Sequence, residues 1–188
     1  MLGLRVRVDF RLDVAVPSRA MTDWLDRLTD SVSKATEIER QEAERKKYIV
    51  HKAEVLTVRG PELWAQFVQS CKDVVTELNK RVALRFPEDR DKQIAWADQG
   101  PQSFSLRGEF PSFSMQATCD VERQCVSLGG ERRFSGTIEC RSATLYMDLD
   151  KDGNPCLRLG ECQIDEKDAS RYLLELCLSS TEPVIPSG

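Results

Sequence analysis

The stretch from Met21 to Val58 limits the possible folds most strongly, because it contains neither proline nor glycine. Charged side chains run through it, and acidic residues precede basic ones at a separation of four in three pairs: Asp23–Arg27, Asp30–Lys34 and Glu42–Lys46. On a helix each such pair contributes about 0.3 kcal/mol. The pattern therefore predicts one helix that begins near residues 18–22 and is much longer than the usual three or four turns.

The apolar residues of this stretch divide it into two ends and a middle. They recur every three or four positions, at Leu25, Leu28, Val32, Ala35, Ile49, Ala53 and Leu56. The same register places Glu39, Glu42 and Lys46 on the seam, where a continuous coiled coil needs apolar side chains. We expect both ends of the helix to be buried and residues 37–47 to be solvated. Two interpretations stay open: a strut that bridges two packed regions, or a helix that pairs with its copy in a homodimer.

A helix break is predicted at Arg59-Gly60-Pro61, because glycine can close a helix and proline is favoured at the start of the next one. Residues 61–85 then carry a broad apolar stripe at helical spacing: Leu63, Trp64, Phe67, Val68, Cys71, Val74, Val75, Leu78 and Val82. These features predict a helical hairpin over residues 19–85, whose second helix is central to the core.

The first residues of the chain have a different period. Apolar residues alternate with charged ones from Leu4 to Val16, which predicts a strand over residues 1–18 with one buried face. Met21 is an alternative start, so whether residues 1–20 belong to the biological chain stays open. The strict alternation favours real structure.

From Gln93 onward the chain is rich in Ser, Thr, Gly and β-formers, which predicts an antiparallel meander over residues 93–164. The predicted strands are 93–97, 103–107, 112–121, 124–128, 132–141, 143–149 and 156–164. Gly129-Gly130 is interpreted as a tight hairpin, since it matches no phosphate-loop pattern. Asp165 is the predicted N-cap of a closing helix over 165–178, and residues 179–188 form a flexible tail with two prolines.

These elements predict a single α+β domain over residues 1–188. In that fold a long N-terminal helix and a second amphipathic helix pack on an antiparallel meander sheet of about five to seven strands, and a C-terminal helix closes it.

Charge and hydropathy argue against two classes of partner. The net charge is −4, and residues 93–188 carry nine positive against fifteen negative charges. A basic footprint for nucleic acid is therefore missing, and this half would repel phosphate and anionic lipid. The sequence has neither a secretory signal nor an apolar run of about 20 residues. We expect a soluble cytoplasmic protein that binds neither nucleic acid nor membranes.

Seven cysteines are present, and the odd number without an export signal favours free thiols. Zinc is disfavoured, because no pair has C-x2-C spacing and His51 is the only histidine. Cys119/Cys125 and Cys156/Cys162 are each six residues apart, which on a strand would place each pair on one face. We interpret the cysteines as core residues.

The segment Asp148 to Asn154 matches the first half of a calcium loop, with carboxylates at alternate positions before Gly153. The twelfth position is Leu159, where such a loop needs glutamate. The same residues suit a hairpin turn. Whether Asp148 to Asp152 binds a cation stays open, and a plain turn is favoured.

The remaining candidates are single residues. His51 lies on the long helix without a convincing acidic partner, which is weak support for acid–base chemistry. Trp64 and Phe67 have core spacing, and Trp96 either caps the core or lines a cavity between helix and sheet. The sequence therefore assigns no catalytic, cofactor-binding or metal-binding residue, and no cofactor.

The favoured functional hypothesis is a non-enzymatic protein-interaction or adaptor module, homodimeric through the long helix. A second hypothesis is a small-molecule or peptide binder with a pocket between helices and sheet. A carboxylate- or metal-dependent enzyme is the third and weakest.

Overall fold

A computed structural model of the chain describes residues 19–109, 111–134 and 136–179. Helix α1 (Arg19–Arg85) is followed by a short 3-10 turn (Arg90–Lys92), seven strands and helix α2 (Glu166–Leu178). The strands are β1 (Ala95–Asp98), β2 (Ser103–Glu109), β3 (Ser112–Asp120), β4 (Cys125–Phe134), β5 (Thr137–Leu149), β6 (Pro155–Leu159) and β7 (Cys162–Ile164). The α+β class is confirmed. The strand predicted over 1–18, and the predicted tail beyond Ser179, lie outside the described residues.

The seven strands form one antiparallel sheet in which each strand pairs with its neighbours in sequence. The predicted meander is therefore confirmed. Alternate residues of β3 are buried, namely Phe113, Met115, Ala117 and Cys119. The residues between them include the exposed Ser114 and Gln116. The sheet thus has one apolar face and one polar face, as a period of two requires.

Helix α1 continues through Gly60 and Pro61, so the predicted hairpin is wrong. Pro61 lies inside the helix and removes one backbone hydrogen bond, at a cost of about 3 kcal/mol. The buried Leu56 and Leu63 lie on either side of it, and both belong to the core. A Cβ added to the buried Gly60 would lie 3.7 Å from Met147 Sδ on β5. Gly60 therefore faces Met147 from within the helix, and a Cβ there would make only an ordinary van der Waals contact.

The chain divides into two compact units, residues 1–48 and residues 49–188. In the first unit, every described side chain from Asp23 to Tyr48 is exposed. The chain itself therefore does not bury Leu25, Leu28 and Val32 at the first helix end, whereas the predicted solvation of residues 37–47 is confirmed.

In the second unit, the apolar face of the sheet packs under two helices. From α1 the buried residues are Leu56, Leu63, Trp64, Phe67, Cys71 and Val75, and from α2 they include Leu173, Leu176 and Cys177. Phe67 is fully buried, and its ring centroid lies 5.7 Å from that of Trp64 and 6.2 Å from that of Phe104 on β2. The core interpretation of Trp64 and Phe67 is confirmed.

The predicted hairpin at Gly129-Gly130 is wrong, because both glycines lie inside β4. Gly130 pairs with Met115 on β3 and with Arg141 on β5. A Cβ on Gly130 would lie 2.1 Å from the carbonyl oxygen of Ser114, so only glycine fits there. The β4–β5 turn instead contains Gly136, whose φ is +85°.

The end of the chain follows local signals closely. Gly160, with φ of +62°, divides the strand predicted over 156–164 into β6 and β7. The Asp165 side chain accepts a hydrogen bond from the Asp168 backbone N–H at 2.7 Å, which confirms the predicted N-cap of α2.

The C-terminal end of α2 is bound by a side chain from the sheet. The guanidinium of the buried Arg132 on β4 donates a hydrogen bond to the Ser179 carbonyl, and a cation is favourable there because the carbonyl end of a helix carries a partial negative charge.

Candidate functional site

The N-terminal segment of α1, defined here as residues 23–48, carries large apolar side chains that its own unit leaves exposed. Trp24, Leu25, Leu28, Val32 and Ile38 each expose between 44% and 64% of their surface. Their spacings of three, four and six places bring most of them to one side of the helix. Apolar side chains that are clustered and exposed commonly mark a contact surface for another protein.

The polar side chains of this segment bind within the helix. The Arg40 guanidinium lies 2.7 Å from Glu37 and 2.6 Å from Glu44. Its hydrogen bond lowers the pKa of Glu37, and the same contact raises the pKa of Arg40. Three hydroxyls donate to carbonyl oxygens four residues earlier: Thr29 to Leu25, Ser31 to Arg27, and Thr36 to Val32. Contacts along the helix therefore satisfy much of the polar surface and leave the apolar surface exposed.

A groove of about 830 Å³ lies between α1 and α2 in the second unit. Val74 and Leu78 of α1 and the buried Leu174 of α2 line it with apolar side chains. Its charged lining comprises Asp73, Glu77, Arg81, Glu166, Lys167, Arg171 and Glu175. The sequence-based pocket hypothesis placed a cavity between helices and sheet, whereas this groove lies between the two helices.

The charges of the groove are not equivalent. Arg81 lies 2.9 Å from Glu77, and Arg171 lies 3.5 Å from Asp168, so each guanidinium has an acidic neighbour on its own helix. The groove therefore offers an apolar floor with acidic and basic groups along its sides, which is the composition of many ligand sites. Its volume lies within the usual range of roughly 300–1,000 Å³.

Trp96 on β1 belongs to the core boundary and does not line this groove. Its ring stacks on Phe104 with centroids 4.1 Å apart, and the Lys72 ammonium lies 5.1 Å from its centroid. The indole N–H donates to Asp98 at 2.8 Å. This hydrogen bond, followed by the contact with Lys72, lowers the pKa of Asp98. Of the two predicted roles for Trp96, the structure shows that of capping the core.

The segment that resembles half of a calcium loop forms the β5–β6 turn. Asp150 accepts hydrogen bonds from the backbone N–H groups of Asp152 and Asn154, both at 2.8 Å. The bond from Asn154 is the main reason why the pKa of Asp150 is lowered. Asp148 instead lies 2.9 Å from Lys52 and 3.0 Å from Arg158. The carboxylates thus organise the turn and bind basic side chains, and they do not converge on one point.

The cysteines are free thiols, and five of the seven are buried. Burial raises the pKa of Cys71 and of Cys177 to about 12. The Cys71 thiol also lies 3.3 Å from the Ser170 hydroxyl of α2. The core interpretation holds for these residues, whereas Cys140 is exposed.

The predicted shared faces of the cysteine pairs are wrong. Cys119 pairs with Val126 and Cys125 pairs with Asp120, so these two cysteines lie on opposite faces of the sheet. Cys156 pairs with Asp148 and Cys162 pairs with Leu159, so Cys156 and Cys162 also lie on opposite faces of the sheet. A turn separates the members of each pair, so the even spacing does not describe one strand.

Other chemical sites receive little support from the described residues. His51 is exposed on α1. Within residues 19–109, 111–134 and 136–179, no three acidic, histidine or cysteine side chains are grouped to hold a metal ion. In the same residues no helix is long and apolar enough to span a bilayer.

Comparisons with protein families, with curated proteins and with solved structures find no match to this chain.

Proposed function

We propose that this chain is a non-enzymatic protein-interaction module that binds its partner through the N-terminal segment of α1. The observation that carries the proposal is the exposure of Trp24, Leu25, Leu28, Val32 and Ile38 on one helix. Each large apolar side chain that a partner covers contributes about 1.5–3 kcal/mol when its burial is complete. Leu25, Leu28 and Val32 are spaced by three and four residues, which is the spacing of the anchors in helices that bind a groove of another protein.

The rest of the molecule serves as a folded base for that segment. The second unit buries a full helix–sheet core of its own, so its stability does not depend on covering the N-terminal segment. Acidic side chains of this unit have structural partners, as Asp148 has in Lys52 and Arg158.

Photo-crosslinking tests this proposal directly. A photoreactive amino acid replaces Leu28 in the full chain, and the matched control carries it at Ile138, which is exposed on β5. We expect irradiation in cells to give a protein adduct from position 28 and none from position 138. Absence of an adduct at 28, or equal adducts at both positions, would contradict the proposal.

The groove between α1 and α2 supports a second candidate function, the binding of a small molecule or peptide. Beside the apolar Val74 and Leu78, four carboxylates and three basic side chains line it, a net charge of −1: Asp73, Glu77, Glu166, Glu175, Arg81, Lys167 and Arg171. The guanidiniums of Arg81 and Arg171 each have an acidic neighbour on their own helix. We therefore favour a ligand with an apolar body and a cationic end.

Titration with a short peptide that alternates leucine and lysine tests this candidate. We expect the peptide to raise the melting temperature of the chain and Val74→Lys to abolish the shift. Lys80→Ala, an exposed change on α1 outside the groove, is the control. An equal shift with Val74→Lys would exclude the groove as the binding site.

A further inference from the structure

We propose that the partner of the N-terminal segment is a second copy of this chain, and that the two helices pair in antiparallel orientation. This inference rests on the proposed function, because it uses the same exposed apolar side chains. It goes further by naming the partner and the direction of its helix.

Charge along the segment selects the antiparallel orientation. Residues 23–30 contain three aspartates and one arginine, a net charge of −2. Residues 40–47 contain four basic residues and two glutamates, a net charge of +2. Antiparallel pairing places each acidic end beside the basic end of the other copy, and it does so twice around a two-fold axis. Parallel pairing in register places like charges together at both ends.

The side chains near the middle of the segment fit the same arrangement. Ala35 lies midway between Asp23 and Lys47, and its small side chain allows two helices to approach closely where they cross. Val32 and Ile38 flank it at equal separations of three residues, so each faces the other across the axis. The two large apolar residues next to the axis therefore bury each other.

The same pairing accommodates Lys46 on the seam. With Ala35 on the axis, Trp24 faces Lys46 of the other copy, and a lysine over an indole ring is a favourable cation–π contact. Asp26 and Glu44 lie on the side of the helix opposite to Ala35, so their like charges do not meet across the pair, and Glu44 binds Arg40 at 2.6 Å within its own helix. Lys46, which a long parallel coiled coil would exclude from its seam, is thus acceptable in a short antiparallel pair.

Charge reversal in the full chain tests both partner and orientation. One variant carries Lys46→Glu and Lys47→Glu, another carries Asp23→Lys and Asp26→Lys, and a third carries all four changes. Sedimentation equilibrium at low salt should show a dimer for the unmodified chain and dissociation constants about tenfold larger for each double variant. The variant with all four changes should return to within about threefold of the unmodified chain, since each helix end again lies beside an end of opposite net charge.

Lys80→Glu with Lys151→Glu is the matched control for the Lys46/Lys47 variant, because it makes the same change in net charge at exposed positions outside the segment. It should leave the dimer unchanged. Circular dichroism of every variant checks that the helix still forms. Higher salt should weaken the unmodified dimer, as expected for exposed charge pairs.

Each other outcome overturns a defined part of the inference. If the quadruple variant stays as weak as the double variants, or if no variant differs from the unmodified chain, the antiparallel orientation is wrong. If the unmodified chain is a monomer at all concentrations, the second copy is not the partner. In that case an adduct from position 28 to a different protein would still uphold the proposed function, whereas a lack of any adduct would overturn both.

Discussion

The two parts of helix α1 have similar helical periods and opposite environments. From residue 23 to 48 every described side chain is exposed, whereas Leu56, Leu63, Phe67 and Cys71 are buried in the core of the second unit. The difference lies in the width of the apolar stripe. The first part has apolar residues interrupted by Glu39 and neighbouring charges, and the second has a nearly continuous stripe broad enough to cover a sheet. One helix therefore combines an apolar surface that is exposed with an apolar surface that the core covers.

The largest expected effect comes from shortening a side chain in the packed part. Phe67→Ala removes a fully buried ring that contacts Trp64 and Phe104, so the second unit should lose about 4 kcal/mol of unfolding free energy. Leu28→Ala in the exposed part is the matched change, and it should alter the stability of the monomer by no more than about 0.5 kcal/mol. Urea unfolding measures both. Similar losses for the two variants would mean that residues 23–48 have a covered face.

A smaller effect is expected from the sheet beneath the packed part. Gly130→Ala should destabilise the second unit by about 3 kcal/mol, because the new Cβ would lie 2.1 Å from the Ser114 carbonyl oxygen. Gly129→Ala is the control, since a Cβ there meets no atom within 4 Å. Thermal unfolding of the two variants checks the difference. Equal melting temperatures would show that β3 and β4 are not in the register described.

Pro61 lies in the packed part of the helix, and its replacement should stabilise the protein, in contrast to the two preceding changes. Pro61→Ala restores a backbone hydrogen bond in an exposed position of a continuous helix, so it should raise the unfolding free energy by about 2 kcal/mol. Glu62→Ala, the adjacent exposed change, should have little effect. A loss of stability in Pro61→Ala would favour a turn at this point and argue against one helix from Arg19 to Arg85.

The smallest expected effect is a dependence of stability on alkaline pH. The pKa of Cys71 is raised from 9.0 to about 12 by burial, so the folded state binds a proton that the unfolded state loses first. The contribution of this thiol is fully present below pH 9 and declines as pH rises towards 12, with a slope of up to about 1.4 kcal/mol per pH unit.

Comparison with Cys71→Ala isolates this contribution from the other groups that titrate at high pH. Urea unfolding between pH 8 and 10 should show a steeper loss of stability for the unmodified chain than for the variant. Parallel losses would mean that the Cys71 thiol is accessible to solvent in the folded protein.

Local signals predicted much of the second unit. Period-two alternation located most of the strands, and the Asp165 cap located α2, because both depend on interactions within a few residues. Gly60, Gly129 and Gly130 were misinterpreted, because glycine is common in turns but also occurs inside helices and strands. At Gly130 the close approach of the Ser114 carbonyl oxygen on β3 is what requires glycine, and only tertiary structure shows it.

The N-terminal segment of α1 and the groove between α1 and α2 also differ in how much of each the sequence predicts. Leu25, Leu28 and Val32 of the N-terminal segment were recognised from their spacing, whereas Trp24 and Ile38 were not, and the exposure of all five depends on what the rest of the chain covers. The groove was missed, because Val74 and Leu78 have the spacing of core residues. The distance between α1 and α2 decides that they line a groove, and that distance follows from tertiary packing.

The sheet joins every strand to its neighbour in sequence, and this order has a consequence for synthesis. Leu63, Phe67 and Cys71 leave the ribosome before any strand on which they pack, so the nascent helix must expose its apolar stripe until the hairpins follow. Each hairpin then needs only the strand made just before it, which keeps loop closure local and fast. Helix α2 emerges last and completes the core, so a ribosome that stalls before residue 166 would hold a sheet that α1 covers only in part.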